Sequence, residues 1–299
     1  MWYYRYMTVL STPGWEEYAL IDSGDGKRLE RFGAYRLVRP DPQCIWKPHQ
    51  PVSEWEKADA VFTEGDKQGH WEKKKRIPEK WEMKYKQLRF YAKLSPFKHT
   101  GVFPEQHIHW DWLEKKLEQA KSTTHEGAPI KVLNLFGYTG IASLACAAAG
   151  AEVTHIDASF PTIGWARENQ VLSGLTKEKM RWILDDCLKF VEREVRRGSR
   201  YDGIIMDPPV FGHGPKGERW EFSNSFPLLI ENCKKILSDH PIFLLINAYA
   251  VSASAIMLEN VLQDTTSEFA GKVESGELAL QEKESSRLLS TGIFGRWSQ

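Results

Sequence analysis

The sequence predicts an α/β fold, with a mostly parallel sheet covered on both faces by helices and a small β-rich domain before it. Three observations predict it. From about residue 105, continuous apolar runs of strand length alternate with helical patterns of about 10–15 residues, as parallel strands buried on both faces require. Residues 1–98 are instead rich in Trp, Tyr, Pro and charge, with turn signals at Asp25-Gly26, Arg39-Pro40-Asp41-Pro42 and Glu64-Gly65-Asp66 and no long helical period. Finally, 299 residues at 41% apolar content can fill one large core and one smaller one. The expected boundaries are 1–98 for the β-rich domain and 99–299 for the α/β domain.

Within the first domain, residues 81–85 and 88–94 alternate apolar and polar side chains across a short turn, the pattern of a half-exposed hairpin. In the second, Trp110, Trp112, Leu113 and Leu117 fall at helical spacing, and residues 131–136 form an apolar strand interrupted by Asn134. A small-residue helix is expected at 141–149, a strand at 152–157, a helix at 161–173 and a strand at 180–184. Next come a helix at 187–197, a strand at 203–206, a helix at 226–237, a strand at 241–248 and a helix at 252–262. Residues 278–280 and 288–297 read as two extended segments, a plausible antiparallel edge. The segment 212–220 carries no helix or strand pattern and is expected to fold over a bound ligand.

Forty basic residues balance forty acidic ones, so any basic surface is local. Cys44, Cys146, Cys187 and Cys233 have no paired spacing, which argues against a disulfide framework or a metal site and fits a reducing compartment. Residues 1–6 contain no leader-like apolar core, and no stretch approaches the roughly 20 apolar residues of a membrane span, so a cytoplasmic location is expected.

In open α/β sheets ligands collect at the carboxyl ends of the strands where strand order reverses. Phe136-Gly137-Tyr138-Thr139-Gly140 follows the first strand of the second domain, and its two glycines let the backbone pass close to a ligand. The spacing Gly-x-x-Gly departs from the dinucleotide fingerprint Gly-x-Gly-x-x-Gly, and no Gly-Lys-Ser/Thr suits a triphosphate. The next strand ends in Asp157, where a carboxylate can accept both ribose hydroxyls of a nucleoside. The third is followed by Asp185-Asp186-Cys187, with Asp186 the better placed to accept from an adenine amino group; simple helix capping is the competing role for these aspartates.

The ordered set of residues 133–140, Asp157-Ala158-Ser159, 186–190 and Asp207-Pro208-Pro209-Val210-Phe211 resembles the motifs of class I S-adenosylmethionine-dependent methyltransferases. More narrowly, it resembles the bacterial 23S rRNA large-subunit methyltransferases of the RlmI/RlmK type. Upstream, His99-Thr100-Gly101-Val102-Phe103-Pro104-Glu105-Gln106 is similar to the segment by which that family covers the cofactor. The resemblance spans about residue 80 to the end. It implies a Rossmann-like, seven-stranded methyltransferase sheet with S-adenosyl-L-methionine as cofactor. Asn134, Phe136, Gly137, Tyr138 and Thr139 would wall the methionine portion, with Asp157, Ala158 and Ser159 at the ribose and Asp186 and the Cys187 backbone at the adenine. Thr100, Phe103 and Gln106 would close the site from the other side, and Asp207 would border both cofactor and acceptor.

The acceptor reading rests on residues 207–211. Two prolines fix φ and remove N–H donors, so carbonyl acceptors beside Asp207 can hold a base-edge amino group while Phe211 offers a stacking face. The catalytic set expected is therefore Asp207, Pro208, Pro209 and Phe211. Methylation of cytosine C5 generally uses a cysteine after the fifth strand; here Ile246-Asn247-Ala248-Tyr249-Ala250 stands there, which favours a ring nitrogen. No metal is required. Eleven basic side chains, Lys67, Lys73, Lys74, Lys75, Arg76, Lys80, Lys84, Lys86, Arg89, Lys93 and Lys98, are interleaved with Trp71, Trp81, Tyr85, Phe90 and Tyr91. This points to RNA, 23S rRNA or an assembly intermediate, with lysines tracking phosphates and aromatics stacking on bases. Competing readings are methylation of a small planar molecule, a noncatalytic RNA-binding assembly factor, and, on the wrong glycine spacing, a nicotinamide-dependent oxidoreductase.

Overall fold

A computed structural model describes residues 7–65, 69–123 and 127–299; residues 1–6, Asp66 and Lys67, named in the expectations above, lie outside the described residues. The chain forms two compact units. Of the described residues, one gathers 7–10, Ile108–Glu277 and Gly292–Gln299, and the other Ser11–His107 with Leu278–Thr291.

The chain enters on β1 (Thr8–Thr12), a strand of the large sheet, before building the smaller unit. There β2 (Tyr18–Gly24), β3 (Lys27–Phe32), β4 (Tyr35–Pro40), β5 (Ala60–Thr63) and β6 (His70–Lys73) make a five-stranded sheet in sequence order. A single turn of helix, α1 (Val52–Trp55), lies in the β4–β5 connection, and that strand pair alone is parallel. The expected hairpin is β7 (Trp81–Tyr85) with β8 (Leu88–Ala92). A 3-10 turn at Pro104–Gln106 closes the segment. Leu278–Thr291 returns to this unit because its polar groups are spent there: Glu282 Oε1 accepts from Ser23 N and Oγ at 3.0 and 2.6 Å, and Lys283 N donates to Leu20 O at 2.8 Å.

The larger unit follows the expected alternation closely. Its elements are α2 (His107–Lys121), β9 (Lys131–Leu135), α3 (Ile141–Ala148), β10 (Glu152–Asp157), α4 (Phe160–Leu172), β11 (Met180–Leu184), α5 (Cys187–Arg197) and β12 (Gly203–Met206). Then come β13 (Phe211–His213), β14 (Arg219–Glu221), α6 (Phe222–Lys235), β15 (Phe243–Ala248), α7 (Ala255–Thr265), β16 (Lys272–Gln281) and β17 (Leu288–Ser298). The strand order is β1-β16-β17-β15-β12-β9-β10-β11, with the last five parallel to one another and β17 antiparallel to β15. The sheet thus has eight strands where seven were expected. The eighth, β1, is only five residues long and too short to show a period; it crosses Gly276 so closely that a Cβ there would stand 1.8 Å from Thr8 O.

Helices cover both faces. Phe190, Phe226, Leu229 and Leu258 pack against one, and Leu113, Leu117, Cys146 and Ile130 against the other. Local chemistry sets the helix ends. Ser159 caps α4 with a proline in its first turn, while α5 starts on Asp186, whose carboxylate accepts from Lys189 N, and stops at Gly198 in the left-handed region. All four cysteines are buried free thiols. Among the described residues no helix is long and apolar enough to cross a membrane.

Candidate active site

After β9 the chain runs outward to β10 and β11, then returns to β12 on the other side of β9. This reversal makes the carboxyl end of β9 the switch point, and the turn at residues 136–140 stands on it. The turn is tightly specified. Phe136, Tyr138 and Gly140 have φ of 55°, 52° and 81°, so two side-chain-bearing residues hold the left-handed region. Gly137 has no positive φ but no room either: a Cβ there would lie 2.3 Å from His155 Cε1.

Beneath the turn, side chains from β9, α3 and β10 form a buried chain. Asn134 Nδ2 donates to Ser143 Oγ at 2.8 Å, and Ser143 Oγ meets His155 Nδ1 at 2.9 Å. Full burial lowers the His155 pKa from 6.5 to about 3, so the ring is neutral, and it packs against Trp182 at 4.6 Å between centroids. Asn134, placed by the resemblance against a cofactor, is therefore 3% exposed and spends its amide inside the protein. Thr139 is buried too, its carbonyl accepting from Asn169 Nδ2 at 2.9 Å. These two bonds shape the turn itself.

The remaining residues gather above. Asp157 Oδ2 accepts from Tyr138 N and Oδ1 from Ser159 N, both at 2.9 Å, which ties the first turn to the second. Desolvation raises the Asp157 pKa, opposed by those N–H groups and that of Ala158. With Tyr138 N on one oxygen and Ser159 N on the other, the carboxylate has lone pairs left that suit hydroxyl donors. Phe136, Gly137, Tyr138, Ala158 and Ser159 are partly exposed around it. Asp186 caps α5 through Oδ1, as the competing reading held, and Asp185 pairs with Arg193. Cys187 is buried; its sulfur accepts from Phe136 N at 3.3 Å, and burial pushes the thiol well up, so it offers no thiolate.

Asp207 N donates to Leu135 O at 3.4 Å, continuing the β12–β9 ladder to the last residue before the turn at 136–140. Pro208 is buried, Pro209 is exposed, and Phe211 is 65% exposed, a large ring left to solvent beside the partly exposed Asp207. The following segment is not irregular, as the sequence suggested, but a short hairpin of β13 and β14 with Gly212 opposite Trp220. Buried Trp220 organises it, donating from Nε1 to Pro209 O at 2.6 Å and packing on Phe136 at 4.7 Å. Lys189 reaches across to Glu218 at 2.9 Å and, with the Lys216 N–H, holds that carboxyl at about 2.

Thr100, Phe103 and Gln106 belong to the smaller unit, whereas the turn at 136–140 belongs to the larger. Thr100 is fully buried with no hydrogen-bond partner for Oγ1, and Phe103 packs edge-on against His99 at 5.2 Å. Only part of the basic aromatic segment faces solvent. Trp81, Tyr85 and Phe90 point into the core and cannot stack on bases, while Tyr91 is half-buried under Lys80 at 4.2 Å. Lys73, Lys74, Arg76, Lys84, Lys86 and Arg89 are exposed.

Sequence reasoning missed Ser143 and His155. No motif marks them, although His155 lies two residues before Asp157 on the same strand face.

Comparisons with known proteins identify the family. Residues 63–275 match the sequence model of the S-adenosylmethionine-dependent methyltransferases. The ribosomal RNA large subunit methyltransferase K/L of Shewanella frigidimarina is 33% identical over 152 residues, covering 50% of this chain and 20% of that protein. Its counterpart in Shewanella pealeana is 35% identical over 131 residues, covering 44% of this chain and 17% of that protein. The chain thus spans about a fifth of the length of these curated relatives. A crystal structure of a SAM-dependent methyltransferase from Agrobacterium tumefaciens is 45% identical with a TM-score of 0.92, covering 97% of this chain and 93% of that one.

Proposed function

The chain belongs to the S-adenosylmethionine-dependent methyltransferases, and from that premise we propose that it methylates a base of large-subunit rRNA, at a ring nitrogen rather than cytosine C5. One observation carries the acceptor reading: an acid, two prolines and an exposed phenyl ring stand at the carboxyl end of β12, beside the carboxyl end of β9 from which the cofactor turn departs. The curated relatives, named as large-subunit rRNA methyltransferases, supply the substrate class.

The cofactor, when bound, supplies an electrophilic methyl group on a sulfonium. Asp157 would accept the ribose hydroxyls, and the partly exposed faces of Phe136 and Tyr138 would wall the methionine portion. Asp186 and the Cys187 backbone remain the proposed adenine contacts. On the acceptor side, Asp207 and the Pro208 carbonyl would hold a base-edge amino group while Phe211 stacks on the ring. A ring nitrogen with a free lone pair needs neither a nucleophile nor a strong base, so rate would come from alignment and exclusion of water. Buried Cys187, with its pKa raised well above the thiol range, is consistent with the absence of a covalent step.

The deciding experiment maps rRNA modifications by mass spectrometry in strains with and without the gene, the latter complemented by wild type or Asp207→Ala. One methyl group lost on deletion, restored by wild type and not by the variant, is expected. Unchanged rRNA together with transfer to a metabolite would establish a small-molecule enzyme instead. A cytoplasmic location belongs to the same proposal.

A further inference from the structure

A cavity of about 670 Å3 opens between α6, α7 and residues 251–253, beside the acceptor loop. Its walls are apolar, built on Phe211, Phe222, Phe226, Met257 and Val261; Phe222 and Phe226 stack at 4.6 Å and 11°. Its rim is acidic and hydroxylic, with Glu221, Ser223, Ser252 and Asp264, and no lysine or arginine lines it. The tip of the adjoining β13–β14 hairpin has the opposite character, with Lys216 and Arg219 exposed and Arg219 only loosely paired with Glu221 at 3.9 Å.

We infer that this cavity takes an unstacked nucleobase next to the methylated one, so that the enzyme reads sequence context around its target. The inference rests on the RNA reading above. The occupant follows from charge. A phosphate would be repelled by Glu221 and Asp264, whereas a planar ring fills aromatic walls and its amino groups find acceptors at the rim. The attached phosphates then fall outside, where Lys216 and Arg219 are exposed. The cavity meets the acceptor loop only at Val210 and Phe211, and neither Asp207 nor any residue of the cofactor turn lines it, so its occupant is a second base, with Phe211 standing between it and the reacting one. Its volume is of nucleoside size or more, within the usual few hundred Å3 of ligand sites. The carboxyl ends of β12 and β15, which lead into its walls, are where such sheets bind substrates.

The test uses saturation-transfer NMR with adenosine, guanosine, cytidine and uridine on protein already saturated with S-adenosylhomocysteine, which blocks the cofactor site. At least one nucleoside should receive saturation on the wild type and none on Met257→Trp, which fills the cavity. Ala253→Trp, at an exposed position on the mouth, guards against misfolding of the first variant. Both should bind S-adenosylhomocysteine within twofold of wild type and show roughly a tenfold higher KM for rRNA. No saturation of any nucleoside on the wild type, or wild-type KM in both tryptophan variants, overturns the inference; so does saturation of an aromatic non-nucleoside in place of nucleosides. Saturated nucleosides with no methylation of rRNA by the wild type uphold the cavity assignment and overturn the RNA reading instead.

Discussion

Gly137 shows how one atom sets the cofactor turn. Its Cβ would meet the His155 ring at 2.3 Å, and that ring is held by Ser143 at Nδ1 and by the tilted Trp182 ring against it. Gly137→Ala should therefore destabilise the protein by about 1–3 kcal/mol, the range for overpacking a rigid core, measured as a lowered denaturant midpoint. His155 makes a pH prediction. Its folded pKa, about 3, lies below the unfolded value of 6.5, so the unfolded chain takes up the proton first. Stability from this group is complete above pH 6.5 and falls as pH drops towards 3, by up to about 1.4 kcal/mol per pH unit. Denaturant titrations between pH 7 and 4 should show this decline, and His155→Gln should flatten it. Asn134 and Asp157 were legible as polar residues at strand ends. That Asn134 turns inward while Asp157 turns towards the site was not, because the partner that captures Asn134 is Ser143, nine residues away on the next helix.

At the scale of elements, the alternation of strand and helix was legible nearly to the residue from 131 to 206, because buried parallel strands are continuous apolar runs and the helices carry Ser, Asp and Gly at their ends. Beyond that, α6 starts four residues before its expected 226 and α7 lies three residues beyond its expected 252–262. The β13–β14 hairpin was not. Its strands have three residues each and no period, and Trp220 holds them through a bond to Pro209 O and contact with Phe136. Trp220→Phe keeps an aromatic ring, with a small void where part of the indole stood, and loses the bond. It should cost about 1 kcal/mol of stability, leave cofactor binding within twofold, and lower kcat several-fold by loosening the acceptor loop; calorimetry and steady-state kinetics check both. The β7–β8 hairpin, correctly expected, misled in another way. Alternation told that one face was apolar, and only burial told that its aromatics belong to the core.

For the whole molecule, zero formal net charge places any affinity for RNA in local patches, and the exposed face of β7–β8 carries Lys84, Lys86 and Arg89. Changing these three to Glu should weaken rRNA binding and lower the slope of log affinity against log salt by about 2–3, read from filter binding at several salt concentrations, while cofactor affinity stays unchanged. By itself the sequence determined the fold class, the family and the cofactor, because strand and helix periods and the ordered motifs are properties of neighbouring residues. Tertiary structure alone decided the eighth strand, the return of Leu278–Thr291 to the smaller unit, the His155 support and the acid-rimmed cavity. Each of these joins residues far apart in the chain, and their chemistry exists only once the chain has folded.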